Sequence, residues 1–217
     1  MRRSEIKMPE TLAQMIDPSR TALLAIDVQA DFVKADGAIG RSGADLSGVP
    51  VALANIEALV AAARRAGATL AFARVVTRPE ADPPALQRFN TRRGGAPIDI
   101  AVCRDGDPGC EYVGVRPARG DIEVAKLLYN AFHDTDLDGE LRRRGIEALV
   151  AVGFSTHCCV DATCRDAFHR GFDVFVVSDA TDAYSSEVQR ATLKTLTATC
   201  ALAVETAAVL DAWGRPA

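Results

Sequence analysis

Three residues combine reactive side chains with positions that suit an active site. Asp27 directly follows an apolar run, Lys126 ends a short alternating segment, and Cys159 lies in a polar turn before a helical pattern. A carboxylate can exchange protons, an ammonium can hold negative charge, and a thiolate can attack a carbonyl carbon. Together, these residue types favour nucleophilic and acid–base chemistry on a small molecule.

Asp27 ends the near-continuous apolar run from Thr21 to Val28, which predicts a strand buried on both faces, as in a parallel sheet. One interpretation is an acid that only caps the following turn. The other is a partly desolvated carboxylate at the ligand-binding edge, where burial raises its pKa and a nearby cation lowers it.

Lys126 shares one side of a short predicted strand with Ile122 and Val124, because side chains alternate along a strand. If this side is buried, the ammonium points inward and needs an anionic partner. In the opposite register the lysine is exposed. Its position before Leu127, away from any charge cluster, favours the buried register.

Cys159 lies in the segment from Gly153 to Thr163, which reads as a strand end, a tight turn and a helix beginning near His157. The positive end of a helix lowers the pKa of a thiol, and its free N–H groups can stabilise an oxyanion. Cys158 and Cys159 point about 100° apart on a helix. Helix geometry alone does not choose between them.

The other cysteines of this segment have simpler interpretations. Val160, Cys164, Ala167 and Phe168 form one predicted apolar stripe facing the sheet, which places Cys164 in the core. A metal site among the local Cys and His residues is disfavoured because the usual paired-ligand spacing is absent. A Cys158–Cys159 disulfide is disfavoured because vicinal pairs are strained.

The elements that would position these residues alternate between strands and helices. Strands are predicted at 21–28, 68–76, 122–126, 146–152, 172–177 and 201–204, with helices at 50–67, 135–145, 157–170, 187–197 and up to Trp213. This alternation predicts a three-layer α/β/α fold with a mostly parallel sheet of about six strands, and one domain over residues 1–217 with an N-terminal arm at 1–19. Ligands of such sheets bind beyond the carboxyl ends of the strands. The long stretch 77–120 lacks periodicity and predicts a functional loop, such as a lid or binding rim.

Composition restricts the class of partner. The chain has 217 residues, a formal net charge of −4 and no basic cluster suited to nucleic acid. No apolar run approaches the roughly 20 residues that span a bilayer, and no signal-peptide pattern follows the basic N-terminus. A cytoplasmic location and a small-molecule substrate are therefore expected.

Three segments resemble the isochorismatase-like hydrolase family. They are Ala22–Gln29 with Asp31-Phe32, Val124–Lys126 with Tyr129–Phe132 and Thr135–Leu137, and Gly153–Ala167 with its Thr156-x-x-Cys159-Val160-x-x-Thr163 pattern. The segments occur in the family's order, and the resemblance extends over about residues 20–205. Ala30 departs from the pattern, since an Asn is frequent there.

The resemblance implies a Rossmann-like fold with Asp27, Lys126 and Cys159 as catalytic residues, and it selects Cys159 over Cys158. It also implies a cis peptide at Phe154–Ser155 and an oxyanion hole formed by the backbone N–H groups of Ser155 and Cys159. Phe32, Tyr129 and His157 adjoin these residues and are predicted to contact substrate, although structural roles are equally open. Homo-oligomers, dimers or tetramers, are common in the family.

The chemistry implied by the resemblance is cysteine-dependent hydrolysis of a linear amide, such as a ureido, carbamoyl or primary amide compound, through a thioester. Metal-dependent relatives carry histidines after the second strand, where this chain has Thr77-Arg78-Pro79, so no metal or other cofactor is expected. Vinyl-ether hydrolysis using Asp27 and a catalytically silent binding protein are the alternatives. Arg88, Arg92 and Arg93 could bind a substrate carboxylate or be solvated surface charges.

Overall fold

The sheet that organises the molecule contains six parallel strands in the order β3-β2-β1-β4-β5-β6. The computed structural model describes residues 11–96 and 100–214. The strands are β1 (Thr21–Ile26), β2 (Thr69–Val75), β3 (Ile122–Lys126), β4 (Ala148–Phe154), β5 (Asp173–Asp182) and β6 (Leu202–Val204). The expected α/β fold with a sheet of about six strands is therefore confirmed.

Helices cover both faces of this sheet. They are α1 (Leu12–Met15), α2 (Ala30–Val33), α3 (Ala38–Arg41), α4 (Val49–Ala66), α5 (Pro84–Arg92), α6 (Leu137–Arg143), α7 (Asp161–His169), α8 (Ser186–Thr199) and α9 (Thr206–Gly214). Residues of α4 and α9 pack into the core on one face, and residues of α6, α7 and α8 pack into the core on the other. Within the described residues, no helix has the length and apolar character needed to cross a membrane.

The central strand β1 is buried at every position, because it contributes to both cores. Leu23 and Ala25 pack toward α4 and α9, whereas Leu24 and Ile26 pack toward α6 and α7. Alternation along a strand explains this division. Asp27 therefore follows a strand that is buried along its whole length.

Strand β4 fits against β1 only because of a glycine. Gly153 is paired with Ile26 and has a φ of 122°, and an added Cβ atom would overlap the Ile26 carbonyl oxygen. This close approach brings the ends of β1 and β4 together. The turn that follows β4 is consequently placed beside Asp27.

Part of the predicted arm is ordered secondary structure. Thr11 and Gln14 form a reciprocal capping box at the start of α1. Ile16 is buried, and its carbonyl accepts a hydrogen bond from the Trp213 indole N–H at 2.9 Å. Residues 1–10 of the arm lie outside the described residues, whereas 11–19 pack against the domain.

Several predicted details were wrong. Helix α5 occupies Pro84–Arg92 within the predicted loop, and none of its residues is buried. Residues Thr156–Val160 form a π-helical turn, and regular helix begins only at Asp161. Phe168 is 50% exposed, because Thr163 rather than Phe168 completes the buried stripe with Val160, Cys164 and Ala167.

Candidate active site

Polar side chains from the carboxyl ends of β1, β3 and β4 come together around Asp27. Its residue is fully buried, its φ is 53°, and its amide donates to the Ala73 carbonyl at 2.8 Å. A positive φ is uncommon for a residue other than glycine and turns the chain sharply at the strand end. The Asp27 carboxylate therefore stays buried at the end of β1.

Lys126 reaches Asp27 from across the sheet. Strand β2 lies between β1 and β3, so the two backbones are about 10 Å apart, and the long lysine side chain spans that gap. Its Nζ atom donates to Asp27 Oδ2 at 2.7 Å and to the Leu128 carbonyl at 2.9 Å. The lysine is 3% exposed. The buried register predicted for Lys126 is confirmed.

Cys159 lies on the side of β1 opposite to β2 and β3, in the π-helical turn that follows β4. The Ser155 carbonyl accepts from the amides of both Cys158 and Val160, at 3.1 and 3.2 Å, and the second of these bonds is the π-type bond. Cys159 is buried and Cys158 only half-buried, so the two thiols differ in environment. The Phe154–Ser155 peptide is cis. A π-type turn within a helix is frequent at functional sites.

The proton affinities of these groups follow from their burial and mutual contacts. Burial raises the pKa of Asp27, and the Lys126 ammonium and the Cys159 thiol lower it by less. Burial lowers the pKa of Lys126, but Asp27 and Cys159 outweigh this effect and raise it overall. Lys126 is therefore held as an ammonium, and Asp27 is a stronger base than an exposed carboxylate.

The thiol does not have the low pKa that its place near a helix start predicts. A hydrogen bond with Cys158, burial and the Asp27 carboxylate together raise the pKa of Cys159 well above its ordinary value. Asp27 Oδ1 is buried and has no well-formed hydrogen-bond partner among the described residues. A protonated thiol thus lies near a carboxylate oxygen that can receive its proton.

A cavity of about 560 Å³ opens over Cys159. Its lining includes all three predicted substrate contacts and both predicted oxyanion-hole residues: Phe32, Tyr129, Ser155, His157 and Cys159. Arg93 also lines it, whereas Arg88 and Arg92 are not among the lining residues. Burial lowers the pKa of His157, so this imidazole is neutral near pH 7.

Tyr184 is a lining residue that the sequence did not single out. Its hydroxyl donates to the Phe32 carbonyl at 3.0 Å, and its ring stacks on Phe154 at 6.5 Å. It follows β5 in a short polar turn, where one aromatic residue carries no periodic signal. Its place in the cavity lining follows only from the three-dimensional fold.

Gln29, two residues after Asp27, fixes the chain that leaves β1. Its amide nitrogen donates to the carbonyls of Val75 and Cys110, at 2.8 and 2.9 Å, and its amide oxygen accepts from the Val75 N–H at 2.8 Å. The chain after β1 is thereby tied to the end of β2 and to the segment around Cys110. This residue belongs to the quoted motif, but the motif did not reveal its structural purpose.

The donor side chains of the described residues are not arranged as a metal site. Over residues 11–96 and 100–214, no three His, Cys, Asp or Glu side chains are grouped as a metal ion would require. All six cysteines are free thiols.

Comparison with known proteins agrees with this architecture. The family model described as the isochorismatase domain matches residues 21–208. The chain is 33% identical to the ureidoacrylate amidohydrolase RutB of Methylobacterium radiotolerans over 96% of its own length and 84% of the relative's. It is 34% identical to the enzyme of the same name from Variovorax paradoxus, over 80% and 72% of the two chains.

Solved structures share the fold. A cysteine hydrolase from Pseudomonas syringae pv. phaseolicola superposes with a TM-score of 0.81 and 28% identity, covering 92% of this chain and 95% of that one. N-carbamoylsarcosine amidase from Thermoplasma acidophilum superposes with a TM-score of 0.69 and 25% identity, covering 86% and 96%. This chain belongs to the isochorismatase-like hydrolase family.

Proposed function

We propose that this protein hydrolyses a linear C–N amide bond of a small ureido, carbamoyl or primary amide compound through a cysteine thioester. The observation that carries the proposal is the meeting of Asp27, Lys126 and Cys159 at the buried end of one cavity. The names of the similar proteins, ureidoacrylate amidohydrolase and N-carbamoylsarcosine amidase, support an amide as the bond that is cleaved.

The first step is transfer of the Cys159 proton to Asp27. Before transfer, the buried charges are the Lys126 ammonium and the Asp27 carboxylate; afterwards they are the ammonium and the thiolate. The net charge of the site is zero in both states, so no additional charge is buried as the nucleophile forms. Lys126 thus stabilises the negative charge on either side of the transfer.

The second step is attack of the Cys159 sulfur on the substrate carbonyl carbon. The carbonyl oxygen gains negative charge, and the backbone N–H groups of Ser155 and Cys159 are proposed to stabilise it. The C–N bond then breaks, the departing nitrogen takes the proton from Asp27, and a thioester remains. Water, deprotonated by Asp27, attacks the thioester, releases the acid and restores the thiol.

Phe32, Tyr129 and His157 are proposed to bind the substrate, a role supported by their place in the cavity lining. The scheme uses only side chains and backbone groups of this chain, so no cofactor or metal is invoked. A cytoplasmic location is supported by the six free thiols, which are typical of a reducing compartment. Formation of a homo-oligomer, a dimer or tetramer, is proposed because such assemblies are common in the family.

The test compares Cys159→Ala with the neighbouring Cys158→Ala variant. Each protein is mixed with a panel of carbamoyl, ureido and primary amide compounds, ammonia release is measured, and the intact protein mass is recorded for an acyl adduct. We expect Cys158→Ala to keep turnover, and Cys159→Ala to lose both turnover and the adduct. Full turnover by Cys159→Ala would overturn the thioester scheme and favour chemistry that uses Asp27 alone, such as vinyl-ether hydrolysis.

A further inference from the structure

Exposed apolar and aromatic side chains form the outer part of the cavity over Cys159. Phe89 is 53% exposed, Leu127 41% and Tyr129 42%, and all three line the cavity. They are three of the seven large apolar or aromatic side chains that are exposed in the described part of the chain. Apolar side chains that cluster in water around one opening mark a surface that a ligand or a partner covers.

Helix α5 turns its apolar face toward this cavity. The lining contains Leu86, Phe89, Asn90 and Arg93, which recur at the i, i+3, i+4 and i+7 spacing of one helix face. No residue of α5 is buried, and over the described residues neither Leu86 nor Phe89 packs against either core of the sheet. The apolar face of α5 therefore borders the cavity instead of the core.

Polar side chains in the outer lining donate hydrogen bonds within the protein. The Ser42 hydroxyl donates to a backbone carbonyl at 2.6 Å, the Thr77 hydroxyl to another at 2.7 Å, and the Asn90 amide to a third at 2.7 Å. These donors are already used. The surface that remains for a ligand is mainly apolar, because Ile39 and Val102 line the cavity beside them.

Arg93, the charged residue of this lining, is stacked on Phe89. The central carbon of its guanidinium lies 5.2 Å from the centroid of the ring. Its backbone amide donates to the carbonyls of Phe89 and Asn90, at 3.2 and 3.0 Å, which fixes the end of the helix beneath the stacked pair. A guanidinium stacked in this way holds the orientation of an aromatic ring. An apolar ligand group would meet the uncovered part of the Phe89 ring.

Tyr129 connects the outer part of the cavity to the reactive thiol. Burial and the thiols of Cys158 and Cys159 raise the pKa of Tyr129, and Arg93, directly after α5, acts on it in the opposite direction. The tyrosine is therefore within electrostatic range of both ends of the cavity. A substrate amide must reach Cys159, so a group attached to that amide extends past Tyr129 toward the apolar face of α5.

We propose that the substrate carries a neutral apolar group beyond the amide, an alkyl chain of several carbons or an aromatic ring, and that this group binds between the apolar face of α5 and Leu127. This inference rests on the proposed amide hydrolysis and specifies the part of the substrate that does not react. Leu86 and Phe89 are then specificity-determining residues, which contact substrate but take no part in breaking the bond.

The test uses N-alkylureas of increasing chain length, from N-ethylurea to N-pentylurea. We measure kcat/KM for ammonia release with the wild type, Leu86→Ala, Phe89→Ala and Arg88→Ala. Each methylene that leaves water for the apolar wall should raise kcat/KM about three- to fourfold, so the pentyl compound should exceed the ethyl compound roughly 30- to 60-fold. Leu86→Ala and Phe89→Ala should each lower this ratio about 3- to 10-fold.

Arg88→Ala is the control on the same helix. Arg88 is exposed, lies on the face of α5 opposite to Leu86 and Phe89, and is not part of the lining. Its removal should leave the ratio unchanged. Because the ratio compares two substrates of one protein, a general loss of activity cancels out, and variants of side chains outside both cores should fold.

A binding measurement separates this inference from the proposed function. N-ethylurea and N-pentylurea are titrated by calorimetry into Cys159→Ala and into the Cys159→Ala, Phe89→Ala double variant. Tighter binding of the pentyl compound that depends on Phe89, without turnover by the wild type, would support the apolar site and count against the hydrolysis. Equal affinity for the two compounds, or binding of neither, would overturn the inference. Turnover that does not depend on chain length would also overturn it, and would favour a second copy of the chain as the cover of the exposed side chains.

Discussion

At the residue scale, the chemistry of the site depends on where one proton resides. The raised pKa of Cys159 favours a thiol in the free protein, so in the proposed mechanism Asp27 generates the nucleophile during the reaction. The sequence predicted a thiol of low pKa from its place near a helix start. That expectation failed because Cys159 is fully enclosed, lies next to Cys158 and faces a carboxylate, and each of these contacts favours the protonated form.

The pH dependence of kcat/KM should report Asp27. The carboxylate acts as a base only when ionised, so the rate falls as pH drops through its pKa. Because burial raises that pKa above 3.8, the acidic limb should lie at higher pH than for an exposed carboxyl. A pH–rate profile on a neutral amide measures this, and Asp27→Asn should lose about 100-fold or more at all pH values. A wild-type profile that stays flat down to pH 4 would count against Asp27 as the base.

Removing Lys126 should show how much a buried Asp27 carboxylate without its cation lowers the free energy of unfolding. Lys126→Met leaves the carboxylate without its cation and should lower the free energy of unfolding by about 3–5 kcal/mol near pH 7. The variant's Asp27 has a folded-state pKa further above its unfolded value, so its stability is greatest at low pH and declines as pH rises through the folded pKa.

Urea unfolding of Lys126→Met at several pH values measures this effect. The Asp27→Asn, Lys126→Met double variant is the control, since it removes both charges and should recover much of the loss. The prediction fails if Lys126→Met is as stable as the wild type at neutral pH, or if its stability rises with pH.

At the element scale, α7 holds the chain that follows Lys126. The Thr163 hydroxyl accepts from the Ala131 N–H at 3.0 Å, and Asp166 accepts from the Asn130 side chain at 2.6 Å. These bonds connect the helix after Cys159 to the turn after β3. The quoted motifs thus contain residues that position the segments of Lys126 and Cys159 relative to each other.

Thr163→Val tests this connection with almost no change in volume. It removes the acceptor of a buried N–H, so we expect a loss of about 1–3 kcal/mol in unfolding free energy. We also expect a lower kcat, because the strand end carrying Lys126 is less well held. Thr197→Val on α8 is the control; among the described residues its hydroxyl bonds to the Leu193 and Lys194 carbonyls of its own helix. A stable Thr163→Val protein with normal kcat would show that the bond is dispensable.

Elements with a strong apolar pattern were the ones that the sequence predicted well. The run from Thr21 and the helical period between Leu53 and Ala63 appear where expected, because buried faces impose their own spacing. Strand β4 lies two residues later than predicted, since Ile146 packs in the core from the preceding turn. Helix α5 was missed because it lies on the surface and buries none of its residues.

At the scale of the whole molecule, the site exists because of the strand order. The sheet places β1 between β2 and β4, so residues separated by 99 positions, Asp27 and Lys126, share a hydrogen bond. Asp27 and Lys126 could be singled out because each lies at the end of a recognisable strand, whereas only the family resemblance separated Cys159 from Cys158. The contribution of Tyr184 to the cavity lining could not be predicted, since it depends on how distant segments meet around the cavity.

Because strands from both halves of the sheet contribute to the cavity, a bound substrate should stabilise the entire domain. A ligand at 100 times its Kd adds about 2.7 kcal/mol to the unfolding free energy. For a domain of this size that corresponds to a rise in Tm of roughly 5–11 °C. Calorimetry of Cys159→Ala with a saturating unreacted amide measures the shift, and the matching amine, which lacks the carbonyl, is the control. Equal shifts with amide and amine would mean that the carbonyl is not recognised, and that the cavity does not bind the bond proposed for cleavage.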